Sequence, residues 1–134
     1  MSTPEDRAEP TIALPPPLTP GHTLPPGTRI HDYRIDRVLG EGGFGIVYLA
    51  TDVMLERQVA IKEYLPSSMA ARAGQSLTVL VKSPVHEETF HIGLRSFVNE
   101  AKLLASFDHP ALLKVHQFWE ENGTAYMSMP YYRG

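Results

Sequence analysis

A glycine-rich stretch followed by a lysine constrains this chain more than any other feature. Residues Gly40–Val47 read G-E-G-G-F-G-I-V, and V-A-I-K ends at Lys62. A dinucleotide-binding fold would open a helix directly after the third glycine, but the β-branched and aromatic residues of Ile46–Ala50 favour a strand. Strand, glycine turn and strand make a hairpin flap, whose glycines let the backbone approach phosphates that any Cβ would obstruct. The pattern predicts a glycine flap over phosphates, with Lys62 reaching them from the neighbouring strand.

The two motifs resemble the signature of the protein kinase family, a G-x-G-x-x-G-x-V loop followed by V-A-I-K. Both match residue by residue and stand in the family's order. The alternative is a glycine-rich hairpin and a surface lysine without function. The Glu-Tyr-Leu-Pro run after Lys62, with the enlarged segment that follows it, resembles a subset of bacterial serine/threonine kinases.

Composition narrows the class of protein. With 134 residues and a net charge of −3, the chain is long enough for one domain and lacks the basic excess of a nucleic-acid binder. It has no cysteine, which suits a reducing cytoplasm, and no apolar run near the ~20 residues of a membrane helix. The six histidines have no spacing typical of a zinc site, so no metal ligands are predicted. We expect a cytoplasmic protein with no membrane segment in this chain and no nucleic-acid partner.

The first 27 residues hold eight of the twelve prolines and few large apolar side chains. Because proline removes the donors that regular structure requires, residues 1–27 are predicted to be a disordered, partly polyproline arm. The run Pro15–Leu18 could serve a proline-reading module, although a plain flexible tail explains the composition better.

The globular part, residues 28–134, is predicted to be an α+β fold. Alternating and β-branched patterns indicate five antiparallel strands, and a stripe of apolar residues at three- and four-residue steps indicates one main helix, Glu87–Ser106. The segment 66–88 is the least readable, with one added strand over Leu77–Val81. The resemblance implies the small lobe of a kinase. The five predicted strands are Tyr33–Leu39, Gly45–Thr51, Gln58–Tyr64, Leu112–Trp119 and Thr124–Met129.

The resemblance implies two catalytic residues in this part of the chain, Lys62 and Glu100. A lysine on a flexible stem needs a partner that holds its ammonium against the phosphates, and kinases use a glutamate of their central helix. Glu100 lies in a helix run that is similar to that motif. The alternative is a solvated glutamate beside Lys102 or Arg95.

The resemblance also implies an ATP site. Glycine-loop residues would cover the phosphates, apolar residues would enclose the adenine, and the hinge after the last strand would offer it backbone hydrogen bonds. Leu104 and Val115 match the family's stacked apolar spine, although ordinary core residues would look the same. The residues expected to bind the nucleotide are Leu39, Gly40, Gly42, Gly43, Phe44, Gly45, Val47, Ala60, Lys62, Met129 at the gatekeeper position, Pro130 and Tyr132.

The motifs of a kinase's large lobe do not occur in these 134 residues. They would supply the catalytic-loop aspartate and the magnesium ligands. We therefore expect the ATP-binding N-terminal portion of a serine/threonine kinase, inactive alone, with Mg²⁺ used only together with the missing large lobe. That lobe, or a partner protein, would cover the exposed face, and the protein substrate is undefined. The alternative is a free-standing small-lobe interaction module or a remnant of a truncated gene.

Overall fold

The computed structural model describes residues 22–72, 76–106 and 115–131. Tyr132 and most of the predicted proline-rich arm lie outside these ranges. No helix among the described residues is both long and apolar enough to cross a lipid bilayer.

The strands of the described residues are β1 Arg29–Ile30, β2 Tyr33–Gly42, β3 Gly45–Asp52, β4 Arg57–Tyr64, β5 Ala70–Arg72, β6 Val79–Val81, β7 Gln117–Glu121 and β8 Thr124–Pro130. The main sheet that they form has six antiparallel strands in the order β1-β2-β3-β4-β8-β7. The predicted α+β architecture with one main helix is confirmed, but the predicted count of five strands is corrected by a short strand before Tyr33. A separate two-stranded hairpin pairs β5 with β6.

The sheet curls until its two ends meet. The Tyr33 hydroxyl on β2 donates to Gln117 Oε1 on β7 at 2.9 Å and lies 2.8 Å from Ser128 Oγ on β8. The rings of Tyr33 and Trp119 stack with centroids 5.5 Å apart. Because strands near opposite edges touch in this way, one face of the sheet becomes an interior, and Ile61 and Tyr126 on it are fully buried.

Helix α1 spans Glu87–Ser106, the bounds predicted from the apolar stripe, and follows a short 3₁₀ turn, Pro84–His86. Phe90, Phe97 and Ala101 are buried against the sheet. Glu87 and Glu88 occupy the first turn, where the helix dipole stabilises acids.

The segment between β4 and α1 forms a hairpin rather than the single added strand predicted there. Strand β5 pairs with β6, and the Val79 N–H donates to the Asn122 carbonyl at 2.7 Å. Residues 22–27, the end of the predicted arm, are described and pack against β3 and this hairpin. Leu24 is 1% exposed, and its N–H donates to the Tyr48 hydroxyl at 3.0 Å.

Candidate nucleotide-binding site

The glycine hairpin joins β2 to β3 and, together with Val47 and Lys62, lines an open cavity of about 390 Å³. A Cβ added at Gly40, Gly42 or Gly43 would meet nothing within 4 Å, so the space beside these glycines is open. The lack of side chains there leaves this space, the glycine cradle, unobstructed.

Gly45 has a different requirement. A Cβ at this position would lie 2.1 Å from the Glu63 carbonyl oxygen, closer than any real contact. The Leu65 N–H also donates to the Phe44 carbonyl at 2.9 Å, which fixes the hairpin against the end of β4. Gly45 is therefore explained by strand packing, whereas Phe44 at the tip of the turn is 77% exposed.

Four of the predicted site residues share one face of the sheet. Val47 pairs with Lys62 across β3 and β4, and Ala60 pairs with Met129 across β4 and β8. Directly opposed residues of antiparallel strands point to the same side, and positions 60 and 62 are two apart on β4. The structure therefore places the lysine, two predicted adenine neighbours and the predicted gatekeeper on one surface.

The remaining predicted positions are less closely gathered. Leu39 is half-buried on β2, where bulges interrupt the pairing with β3 between Ile35 and Arg37 and again before Gly40. Pro130 is half-buried at the end of β8 and pairs with Val59. Of the two predicted spine residues, Val115 is buried and Leu104 packs against the core at its edge.

Lys62 and Glu100 line a second cavity of about 550 Å³ between β4 and α1. Its wall is largely apolar and includes Tyr64, Gly93 and Phe97. No ion pair within 4.0 Å joins Lys62 to Glu100 in the described part of the chain, and Glu100 is exposed. The two predicted catalytic residues thus face one space without direct contact.

A buried polar cluster that was not predicted lies immediately next to Lys62. The Glu63 carboxylate accepts hydrogen bonds from the Tyr48 hydroxyl at 2.7 Å and from the Tyr126 hydroxyl at 2.6 Å, and forms an ion pair with Arg72. The side chains of Glu63 and Arg72 are fully buried. We call these four residues the Glu63 cluster.

The tyrosines of the cluster are held in their neutral form. Burial raises the pKa of both the Tyr48 and the Tyr126 hydroxyl, and the neighbouring Glu63 carboxylate raises each pKa further. Burial alone would lower the pKa of the Arg72 guanidinium, but the Glu63 carboxylate and the two tyrosine hydroxyls together more than offset this effect, so the net shift is upward. The cluster is therefore a stable arrangement of one carboxylate, one guanidinium and two neutral phenols.

Arg72 also ties two segments of the chain to β4. Its Nε donates to the Leu77 carbonyl at 3.1 Å, and its Nη1 donates to the His22 carbonyl at 2.7 Å. The His22 ring in turn lies 2.8 Å from Glu41 Oε1 in the glycine loop. The added hairpin and the segment before β1 are thus both connected to the walls of the site.

One sequence signal could have revealed part of this cluster. Val59 and Ile61 alternate on the buried face of β4, so Glu63, two residues further on, belongs to the same face. An acid at a position of full burial needs a partner. Nothing in the sequence pattern identifies Arg72 as that partner.

The curled antiparallel sheet, its glycine hairpin, the lysine on the third long strand and the single packed helix define the small lobe of a protein kinase. The family model of protein tyrosine and serine/threonine kinases matches residues 33–134. This chain belongs to that family.

Relatives and solved structures agree with this assignment. The serine/threonine-protein kinase PknJ of Mycobacterium tuberculosis is 33% identical over 113 residues, which cover 84% of this chain. PrkC of Bacillus subtilis is 33% identical over 102 residues, 76% of this chain. The apo form of PpkA-294 shares 51% identity over 84% of this chain, with a TM-score of 0.80. The kinase domain of PknI from M. tuberculosis shares 26% identity over 81%, with a TM-score of 0.56.

The chain spans only part of these proteins. It covers 16% of PknJ, 13% of PrkC and 40% of the PpkA-294 chain. The similarity is therefore to a part of each of these kinases.

Proposed function

We propose that this chain is the ATP-binding portion of a serine/threonine protein kinase, whose reaction moves the γ-phosphate of ATP to a protein hydroxyl. One observation carries the proposal: Lys62 lies on the same sheet face as Val47 and Ala60 and lines the cavity under the glycine loop. A single ammonium beside an open glycine cradle, with an apolar surface next to it, suits a ligand that has phosphates at one end and a flat ring at the other.

The residues of this chain would bind and orient the nucleotide. The backbone of Gly40–Gly45 approaches the phosphates, and the Lys62 ammonium neutralises their charge. Val47, Ala60 and Met129 would pack on the adenine, with the backbone near Pro130 and Tyr132 accepting and donating its hydrogen bonds. ATP, when bound, supplies the phosphoryl group that is transferred.

Glu100 has the role of holding Lys62. Both residues line the cavity of about 550 Å³, so a change of side-chain rotamers or a small movement of α1 would bring their charges together. No three His, Asp or Glu side chains cluster in the described ranges. We therefore assign no magnesium ligand to them and expect those ligands from a kinase large lobe.

Titration of the 134-residue chain with ATP, followed by calorimetry, tests the binding role of Lys62. The chain alone is expected to bind weakly, because the family's nucleotide lies between two lobes. Lys62→Ala should weaken the affinity by about tenfold or more, since it removes a charge-assisted contact. Lys82→Ala is a matched control, because this exposed lysine contacts the Ser67 carbonyl and lines neither cavity. Equal affinity of the Lys62→Ala variant and the parent would overturn the assignment.

The transfer reaction is tested in a protein that joins this chain to a kinase large lobe. With radiolabelled ATP, Lys62→Ala should lower phosphate transfer by on the order of 100-fold or more. Transfer that survives this substitution would remove Lys62 from the proposed mechanism.

A further inference from the structure

Tyr64 connects the lysine strand to the helix that carries Glu100. It follows Lys62 by two residues on β4, and its hydroxyl donates to the Phe90 carbonyl of α1 at 2.9 Å. Its ring lies 5.3 Å from the ring of Phe90 and 5.9 Å from that of Phe97. Tyr64 is 5% exposed, and burial raises the pKa of its hydroxyl, so the contact is made by a neutral, desolvated donor.

Gly93 makes this contact possible. A Cβ at position 93 would lie 2.2 Å from the Tyr64 hydroxyl oxygen and 3.0 Å from Cζ. Glycine inside a helix destabilises it relative to alanine, so helix propensity does not explain Gly93. The close approach of the tyrosine hydroxyl does. The absence of a side chain at Gly93 leaves space on this turn of α1 for the Tyr64 hydroxyl.

The contact lies on the helix face that holds Glu100. Glu100 follows Gly93 by seven residues, two turns of helix and about 10 Å along the axis, and Phe97 lies between them. These residues, with Tyr64 and Lys62, line the cavity of about 550 Å³. Because a helix moves as a rigid element, the point where Tyr64 fixes α1 also determines where Glu100 stands relative to Lys62.

We propose that Tyr64 is a positioning residue. Its hydroxyl, seated at Gly93 and bonded to the Phe90 carbonyl, sets the rotation and height of α1 on β4 and thereby the separation of Glu100 from Lys62. The consequence for catalysis rests on the proposed kinase function, whereas the positioning of the helix does not.

A double-mutant cycle tests the contact in the 134-residue chain. Gly93→Ala should lower the folded-to-unfolded ratio by about tenfold or more, because the new methyl group meets the hydroxyl. In a Tyr64→Phe background, the decrease in the folded-to-unfolded ratio that Gly93→Ala causes should be at least several-fold smaller. Asn99→Ala, on the exposed side of α1, is the control whose effect should be equal in both backgrounds. If the effects of Tyr64→Phe and Gly93→Ala on the unfolding free energy are additive, the Tyr64 hydroxyl and Gly93 do not interact, and the proposal is wrong.

Spin labels measure the position of the helix directly. The chain has no cysteine, so cysteines introduced at the exposed positions Arg57 on β4 and Leu103 on α1 carry the two labels uniquely. Tyr64→Phe and Gly93→Ala should shift or broaden the distance distribution by on the order of 1–2 Å, the scale of helix shifts in proteins. Tyr33→Phe removes another buried hydroxyl bond, which joins β2 to β7 and β8 rather than β4 to α1, and should leave the distribution unchanged. An unchanged distribution in all three variants would show that Tyr64 only fills the core.

The kinetic consequence is measured in the protein that includes a large lobe. Tyr64→Phe should lower kcat by about ten- to hundredfold through misplacement of Glu100, with the KM for ATP nearly unchanged, and Tyr33→Phe should alter neither. If Tyr64→Phe retains kcat while the double-mutant cycle and the spin-label distances respond, the contact is confirmed and its catalytic role is overturned. If Lys62→Ala also retains transfer, the proposed function fails, and the cycle and label distances still decide whether Tyr64 positions the helix.

Discussion

Lys62 and Glu63 are neighbours on β4 that lie in opposite surroundings. Lys62 is half-buried at the edge of two cavities, and among the described residues no ion pair engages it. The Glu63 side chain is fully buried, and three partners from three different segments satisfy its carboxylate. The alternation of a strand produces this contrast, since consecutive side chains point to opposite faces.

The difference separates a charge without an ion pair among the described residues from a charge that is paired inside the fold. A buried carboxylate is tolerated only when it is paired and hydrogen-bonded, and such groups specify a geometry more than they add stability. The Glu63 cluster therefore fixes β4 from its interior side. A strand held firmly on that face can leave an unpaired ammonium on the other without losing its position.

Arg72→Met is the strongest way to break this contrast. The substitution leaves Glu63 as a buried charge without its counter-ion, which should cost about 3–5 kcal/mol of unfolding free energy. Urea denaturation of the 134-residue chain measures the loss. Lys62→Met on the adjacent position is the matched control and should stay within about 0.5 kcal/mol of the parent, because no ion pair is lost there.

A double variant tests whether the stability lost in Arg72→Met comes from the unpaired charge of Glu63. Glu63→Gln combined with Arg72→Met removes both charges and should recover most of the stability that Arg72→Met alone removes. If Arg72→Met lowers the unfolding free energy no more than Lys62→Met does, the paired charge on the interior face of β4 matters no more to stability than the charge on the opposite face.

The sequence predicts one face of β4 far better than the other. The glycine loop and V-A-I-K identify Lys62 and its neighbours because both motifs are local in sequence, and α1 follows from a regular apolar stripe. The Glu63 cluster depends on Arg72, nine residues away in a hairpin where the pattern predicts only a single strand, and on Tyr126, 63 residues away. Tyr64 and Gly93 are similarly joined only by tertiary packing. Propensity and periodicity do not report such long-range polar pairings.

Alkaline pH tests the same cluster through its phenols. The pKa of Tyr48 and of Tyr126 is raised in the folded chain above the ordinary value of 10.0. Stability from these groups is therefore complete below about pH 10 and is lost as pH rises above it, because the unfolded chain ionises first. Each group contributes a slope of up to about 1.4 kcal/mol per pH unit.

Tyr48→Phe should remove one group's share of that alkaline slope. At neutral pH it should cost about 1–2 kcal/mol, since Glu63 loses one of its donors. Urea midpoints measured from pH 8 to pH 11 give both quantities, with Lys62→Met again as the control from the opposite face. An alkaline slope equal to that of the parent would mean that the Tyr48 hydroxyl is not the neutral donor described here.

The smallest expected effect concerns His22, which links the Glu63 cluster to the glycine loop. His22 accepts a bond from Arg72 through its carbonyl and approaches Glu41 of the glycine loop through its ring. The ring contact is partly exposed, with 32% and 48% of the two side chains accessible, so His22→Gln should cost no more than about 1 kcal/mol. Amide hydrogen exchange of Gly40–Gly45 should nevertheless become faster, because the loop loses its tether.

Glu41→Gln is the matched control for that link, because it weakens the same contact from the loop side by removing the carboxylate charge. The two substitutions should not be additive in the exchange rate of Gly40–Gly45, since each breaks one shared interaction. Loop exchange that responds to Glu41→Gln but not to His22→Gln would place the tether elsewhere. A buried cluster would then stabilise β4 without any influence on the loop above Lys62.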